Sequence, residues 1–339
     1  MIRPSPFAPL ALTMGEPAGI GAECAIKAWQ MLREKQIAFF LLDDPVRIAD
    51  LARRLGRDIA VAEIGSAEEA RDAFATALPV LPIHLDQPLT LGRPDSRNSK
   101  AVISSIEQAV ELARSGKASA IVTNPIQKST LYEAGFSYPG HTEFLGALSG
   151  EGVRPVMMLA CPELRVVPVT VHVSLREAIA SLTTERIVEA ATIAWHALQH
   201  DFGIVAPRLA VAGLNPHAGE NGAMGDEEAR LIVPAIAELQ ARGIDASGPY
   251  PSDTLFTTRK RAHYDAAICM YHDQALIPVK TLAEDGGVNI TLGLPFVRTS
   301  PDHGTALDIA SKGMADPASL IAAIRMAGEL ARQRRRNVQ

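Results

Sequence analysis

The chain has 339 residues, more than twice a typical domain of about 150, so two domains are expected. Hydrophobic residues at 47% and charged residues at 21% describe a globular protein with material for a sizeable core, not a disordered or fibrous one. A net charge of −5 and an isoelectric point near 6.0 argue against nucleic-acid binding as the main task. No apolar run approaches the roughly 18 residues of a membrane span. The three cysteines, Cys24, Cys161 and Cys269, form no CxxC pair and fit buried thiols in a reducing cytoplasm.

In chain order, residues 9–14 read as a first strand; the segment FAPLALTMG is too short and proline-broken for a signal peptide. A helical pattern at 22–34, a strand at 38–42, a helix at 99–115 and a strand at 118–123 follow. Strands are next expected at 155–161 and 164–173, where Ser174 and Glu177 then form an S-x-x-E capping box. A helix at 184–200, a strand at 209–214, a helix at 226–242, a strand at 266–271 and a helix at 318–334 complete the pattern. Apolar runs alternating with helices predict an α/β fold with mostly parallel sheet. No linker composition or repeat is visible, so the chain is expected to cross between its domains more than once.

Three histidines, His172, His217 and His272, each close an apolar, strand-like run. Ligands gather at the carboxyl ends of strands in α/β proteins, and imidazole is a frequent metal ligand. One such histidine would mean little; three predict a metal site built from distant segments. Asp273 stands where it can orient the His272 imidazole. His196 and His200 also have a helical metal-pair spacing, but no glutamate or third ligand accompanies them, so they read as a solvated face. The stretch from Gly15 to Gly21 is a strand-to-helix turn bordering a ligand site, matching neither a dinucleotide nor a Walker loop. His141 opens a short helix after Gly140, where free N–H groups favour a phosphate or carboxylate, and Thr142 can cap that helix. Lys280, Asn289 and Arg298 add a point charge, an amide and a bidentate fork suited to a phosphorylated acid. In the closing block, Gly304 beside His303 allows close backbone approach, and Asp308 could bind ribose hydroxyls.

These blocks, MGEPAGIG, GHTEF, VTVHVSL, LNPHAGENGAMGDEE, YHDQALIPVK and GVNITLGLPFVRTSPDHGTALDIA, resemble the 4-hydroxythreonine-4-phosphate dehydrogenase family from about residue 10 to about residue 325. The last block also resembles the NAD loop of isocitrate and isopropylmalate dehydrogenases, with Thr305, Leu307 and Ser311 departing from that pattern and Asp308 retained. The resemblance implies two α/β/α domains with a cleft between them, divided as 1–130 plus 285–339 and 131–284. It further implies a homodimer whose active site is shared between subunits, with a divalent metal on His172, His217 and His272. Substrate would be bound by His141, Thr142, Lys280, Asn289 and Arg298, and NAD, with NADP as an alternative, by His303, Gly304 and Asp308. Three imidazoles favour zinc, with cobalt, nickel, manganese or magnesium as substitutes.

The expected reaction is oxidation of 4-phosphooxy-L-threonine at its C3 hydroxyl, with Lys280 and Asp273 as candidates for proton handling. Sister enzymes acting on phospho-D-threonate, phospho-D-erythronate or an aromatic dihydrodiol carboxylate share the histidines and form the alternative. A metal-dependent hydrolase or aldolase is a remoter one, opposed by the loop at 303–308.

Overall fold

In the computed structural model, residues 7–35, 37–283 and 287–338 are described. Contacts divide the chain into two units, residues 1–153 with 294–332, and residues 154–293 with 333–339. Both are α/β.

The first unit is built on parallel strands in the order β3-β4-β2-β1-β5-β12. These are β1 (Leu10–Thr13), β2 (Phe39–Asp43), β3 (Ala60–Glu63), β4 (Ala77–Pro82), β5 (Ile121–Val122) and β12 (Arg298–Pro301). β1 and β2 are buried along their whole length, as strands covered on both faces must be. The helix Ser99–Arg114 buries Ala101, Val102, Ser105, Ile106, Ala109 and Val110, one face at helical spacing. On that face the Ser105 hydroxyl accepts from the Met14 N–H at 2.9 Å and donates to the Leu42 carbonyl at 2.9 Å, tying the helix to two strands. Trp29 is fully buried in the helix Gly21–Leu32, and its indole N–H donates to the Phe74 carbonyl at 2.9 Å. The domain boundary expected at residue 130 falls inside this unit, because Leu131, Phe136, Phe144 and Leu145 join the same core as Met14 and Phe40.

The second unit follows the order β11-β6-β7-β10-β8-β9. Here β6 (Val156–Cys161) pairs antiparallel with both β7 (Leu164–Pro168) and β11 (Val288–Leu292). β7, β10 (Ala266–Cys269), β8 (Arg208–Ala212) and β9 (Asp245–Tyr250) run parallel. The helix Thr184–His200 matches its sequence expectation residue for residue, with Thr183 capping it through the Arg186 N–H. His196 and His200 sit exposed on it, with their rings stacked at 6.3 Å. The helix expected over 226–242 instead carries a π turn at Glu228–Ile232 before Val233–Ala241. Pro234 lacks an N–H and crowds the preceding turn, which is a physical reason for the break. At the other end of the chain, the Arg334 guanidinium forks onto the Asp201 carboxylate at 2.6 and 2.8 Å. Among the described residues no helix is long and apolar enough to cross a membrane.

Candidate functional site

Two constellations occur, one in each unit, and both draw on segments that follow parallel strands.

In the second unit the segments after β7, β10 and β8, which are neighbours in that order, carry His172, His272 and His217. The strands end earlier than the apolar pattern predicts. β7 stops at Pro168, and His172 lies beyond it with φ 52°, a left-handed conformation that no strand can contain. His272 does not close a strand; it opens the helix His272–Leu282. His217 sits in a loop where His217, Ala218, Glu220 and Asn221 all have φ between 42° and 56°. Such a run of strained residues persists only where surrounding bonds over-determine it. The over-determination is visible. The buried Glu228 carboxylate accepts from the Leu214 N–H at 2.8 Å, the Asn215 N–H at 2.7 Å and the Asn215 amide at 2.9 Å. Gln274, also buried, accepts from the Met270 N–H at 2.6 Å and donates to the Gly213 carbonyl at 2.6 Å and the Ser252 hydroxyl at 2.7 Å. One amide thereby locks the start of the His217 loop to the segment that delivers His272.

His172 and His272 face each other with ring centroids 5.7 Å apart. They line a cavity of about 210 Å³ with Thr170, Tyr271 and Asp273. Asp273 Oδ1 lies 2.7 Å from His272 Nδ1, which directs the other ring nitrogen away from the carboxylate. His217 is not gathered with this pair: among the described residues no three His, Cys, Asp or Glu side chains form a group that could hold a metal ion. Lys280 lies exposed on the same helix as His272, and Asn289 lies in β11 with its buried Oδ1 unpartnered among the described residues.

In the first unit the segments after β1, β5 and β12 converge. Gly15 has φ 67°, and a Cβ there would stand 2.6 Å from the Asn124 Cβ; one at Gly19 would stand 2.8 Å from the Thr305 carbonyl oxygen. Only glycine lets this turn close against its neighbours. The Ile20 N–H donates to the Thr305 carbonyl at 3.1 Å, fixing the 303–308 segment on the glycine turn. In that segment His303 Nδ1 lies 2.9 Å from the Gly304 carbonyl, while Gly304 and Asp308 are exposed.

His141 begins the helix His141–Ser149; Gly140 occupies the cap position and Thr142 does not cap. His141 Nε2 is buried and unpartnered among the described residues. Burial, aided by the charges of Arg298 and then Lys128, holds the imidazole well below its ordinary pKa of 6.5. Arg298 is 4% exposed, and burial pushes its guanidinium down to about 10. Its Nε and Nη2 donate to the Thr123 hydroxyl at 3.1 and 2.5 Å. A buried guanidinium and a buried imidazole at a helix start are the kinds of groups that an anion takes as partners.

His141, Thr142, Arg298, His303, Gly304 and Asp308 thus belong to one unit, and His172, His217, His272, Asp273, Lys280 and Asn289 to the other. The sequence reading overlooks Lys128, Thr123, Glu228 and the role of Gln274. Gln274 and Glu228 carried a signal, their places inside the YHDQ and LNPHAGENGAMGDEE blocks.

The family model for the pyridoxal phosphate biosynthetic protein PdxA matches residues 35–327. The chain belongs to the PdxA family. A curated relative named 4-hydroxythreonine-4-phosphate dehydrogenase, from Bradyrhizobium diazoefficiens, is 53% identical over 95% of this chain and 97% of its own length. Within the family, the crystal structure of the Klebsiella pneumoniae 4-hydroxythreonine-4-phosphate dehydrogenase has a TM-score of 0.87 at 38% identity, covering 96% of this chain and 99% of that one. The structure of a terephthalate 1,2-cis-dihydrodiol dehydrogenase from Burkholderia xenovorans LB400 is more distant, with a TM-score of 0.65 at 29% identity over 95% of this chain and 98% of that one.

Proposed function

We propose that this PdxA-family protein is a NAD- and divalent-metal-dependent 4-hydroxythreonine-4-phosphate dehydrogenase. It oxidises the C3 hydroxyl of 4-phosphooxy-L-threonine in pyridoxine 5′-phosphate biosynthesis. The product, 2-amino-3-oxo-4-phosphooxybutanoate, is a β-keto acid and loses carbon dioxide to give 3-amino-2-oxopropyl phosphate. The observation that carries this reading is the anion site of buried Arg298 and neutral His141, in a chain that matches the dehydrogenase along nearly its whole length.

The donor set fits a divalent metal. His172 and His272 are already paired, and Asp273 supports the His272 tautomer that leaves Nε2 as the ligand atom. His217, from the loop fixed by Glu228, is the third ligand we assign, with the active site shared across a homodimer. Imidazole donors suit zinc, and also cobalt, nickel or manganese, with magnesium a weaker fit. When bound, the metal supplies Lewis-acid polarisation of the substrate hydroxyl and the nicotinamide supplies the hydride acceptor.

The remaining work falls to the protein. His141, Thr142 and Arg298 hold the anionic end of the substrate, and we assign Lys280 and Asn289 further contacts to it. Lys280 and Asp273 are the groups we assign to proton handling. His303 and Gly304 form the cofactor loop, where Asp308 accepts from the adenosine ribose hydroxyls and favours NAD over NADP. The cytoplasm is the compartment that suits its buried free thiols Cys24, Cys161 and Cys269.

The likeness to the dihydrodiol dehydrogenase favours a second reading, in which Arg298 receives a carboxylate. A 340 nm assay with NAD separates the two, run with 4-phosphooxy-L-threonine, phospho-D-threonate, phospho-D-erythronate and a dihydrodiol carboxylate. Turnover of the first above the others is the expected result; preference for the dihydrodiol overturns the proposal.

A further inference from the structure

Lys128 is the first residue of the helix Lys128–Glu133, and its side chain is exposed. A cation at a helix amino terminus meets the positive end of the dipole, so helix stability does not explain it. Its ammonium also lies close to a second helix start. A Cβ built on Gly140, the residue capping His141–Ser149, would stand 3.6 Å from Lys128 Cε and 3.7 Å from Nζ. The ammonium group therefore stands at the positive end of the nine-residue helix His141–Ser149. Glu143 is the nearby acid, with Oε2 at 3.5 Å from that same Cβ position, yet among the described residues Lys128 forms no salt bridge with it or any other carboxylate.

The same field reaches His141, whose buried Nε2 has no partner among the described residues. Arg298, whose charge acts on that imidazole, is buried and donates to the Thr123 hydroxyl. Cations are concentrated here at a cost, because burial and like charge both oppose them. One arginine matches the single charge of a carboxylate. A phosphate monoester near neutral pH carries close to two negative charges and three acceptor oxygens. It calls for a second cation and a further donor.

We propose that Lys128 is a substrate-binding residue that supplies this second charge, making the His141–Arg298 site selective for a phosphate monoester over a carboxylate. The inference rests on the dehydrogenase reading for the identity of the substrate, and on the first unit alone for its geometry. Lys128 contacts the phosphate, Arg298 grips it from the buried side, and His141 donates or accepts according to its tautomer.

The test uses the full-length enzyme and the Lys128→Met and Lys128→Arg variants. Inorganic phosphate binding is followed by calorimetry, and His141 is followed by NMR. In Lys128→Met, the phosphate dissociation constant and the KM for 4-phosphooxy-L-threonine should rise about 10- to 100-fold, as expected for loss of a charge-assisted bond. The change in kcat should be much smaller. His141 should titrate at higher pH than in the parent, because a neighbouring cation is gone. Lys128→Arg should restore most of the phosphate affinity. Unchanged KM and phosphate affinity in Lys128→Met, with the parent oxidising the phosphorylated acid, overturn the role of Lys128 and leave the dehydrogenase reading intact. If phosphate affinity falls as expected but no phosphorylated acid is oxidised, the anion site stands and the dehydrogenase reading fails. A parent enzyme that binds no phosphate at all overturns the proposal.

Discussion

His172 and His272 stand side by side, their ring centroids 5.7 Å apart and their planes inclined at 44°. β7 and β10 are parallel neighbours, so the segments leaving their carboxyl ends emerge together. If the pair holds a metal, His172→Ala or His272→Ala should remove most of the metal from the purified protein. Asp273→Asn keeps both imidazoles but removes the charge that orients one of them. It should weaken metal affinity about 10- to 100-fold. Metal analysis after dialysis against a graded chelator reads both effects, and full occupancy in the alanine variants rejects the site.

Gln274 joins two loops through one buried amide. In Gln274→Leu, the Met270 N–H and the Gly213 carbonyl lose these bonds inside the unit. The cost should be about 2–4 kcal/mol, the penalty of leaving two buried polar groups unpaired. A lowered urea midpoint is expected, together with weaker metal retention. A variant as stable as the parent contradicts this account of the loops.

His141 has a pKa held down by burial and by Arg298 and Lys128. The unfolded chain therefore binds this proton more readily than the folded one. Its contribution to stability is complete above the ordinary value of 6.5 and is lost as pH falls from there toward the lowered native value. One proton gives a slope of at most about 1.4 kcal/mol per pH unit. His141→Gln should flatten the decline of melting temperature between pH 7 and pH 5, and an identical decline in parent and variant removes His141 as its source.

Asp308 lies exposed in the segment fixed against the glycine turn. Asp308→Ala should raise the KM for NAD about 5- to 20-fold through lost ribose bonds. Discrimination against NADP should relax, while metal content stays at the parent level. An unchanged cofactor KM speaks against the assignment.

The pairing of His172 with His272 in one chain also sharpens the dimer proposal. If His217 comes from the partner, mixing inactive His172→Ala and His217→Ala proteins should restore activity. Half of the reassorted dimers are mixed, each with one intact site, so about a quarter of parental activity is expected. Mixing His172→Ala with His272→Ala should restore nothing. Recovery in the second mixture alone places those two ligands in different subunits, contrary to their contact here.

The sequence by itself determined the local features. Alternating apolar and helical periods are written in consecutive residues, so the helix Thr184–His200 and the Ser174–Glu177 cap could be read directly. Strand ends were less legible, since the apolar run of 164–173 continues past the point where a positive φ at His172 stops the strand. The block resemblance named the histidines and the residues proposed to bind the anion because identity survives in short motifs. Tertiary structure alone decided which of them meet. Parallel pairing of β7 with β10 brought His172 to His272, and the core around Phe136 and Phe144 drew the helix of His141 into the unit that holds Arg298. Lys128 was invisible for the same reason. A lone lysine at a helix start carries no pattern, and its charge acquires meaning only when folding sets it against Gly140, His141 and a buried guanidinium.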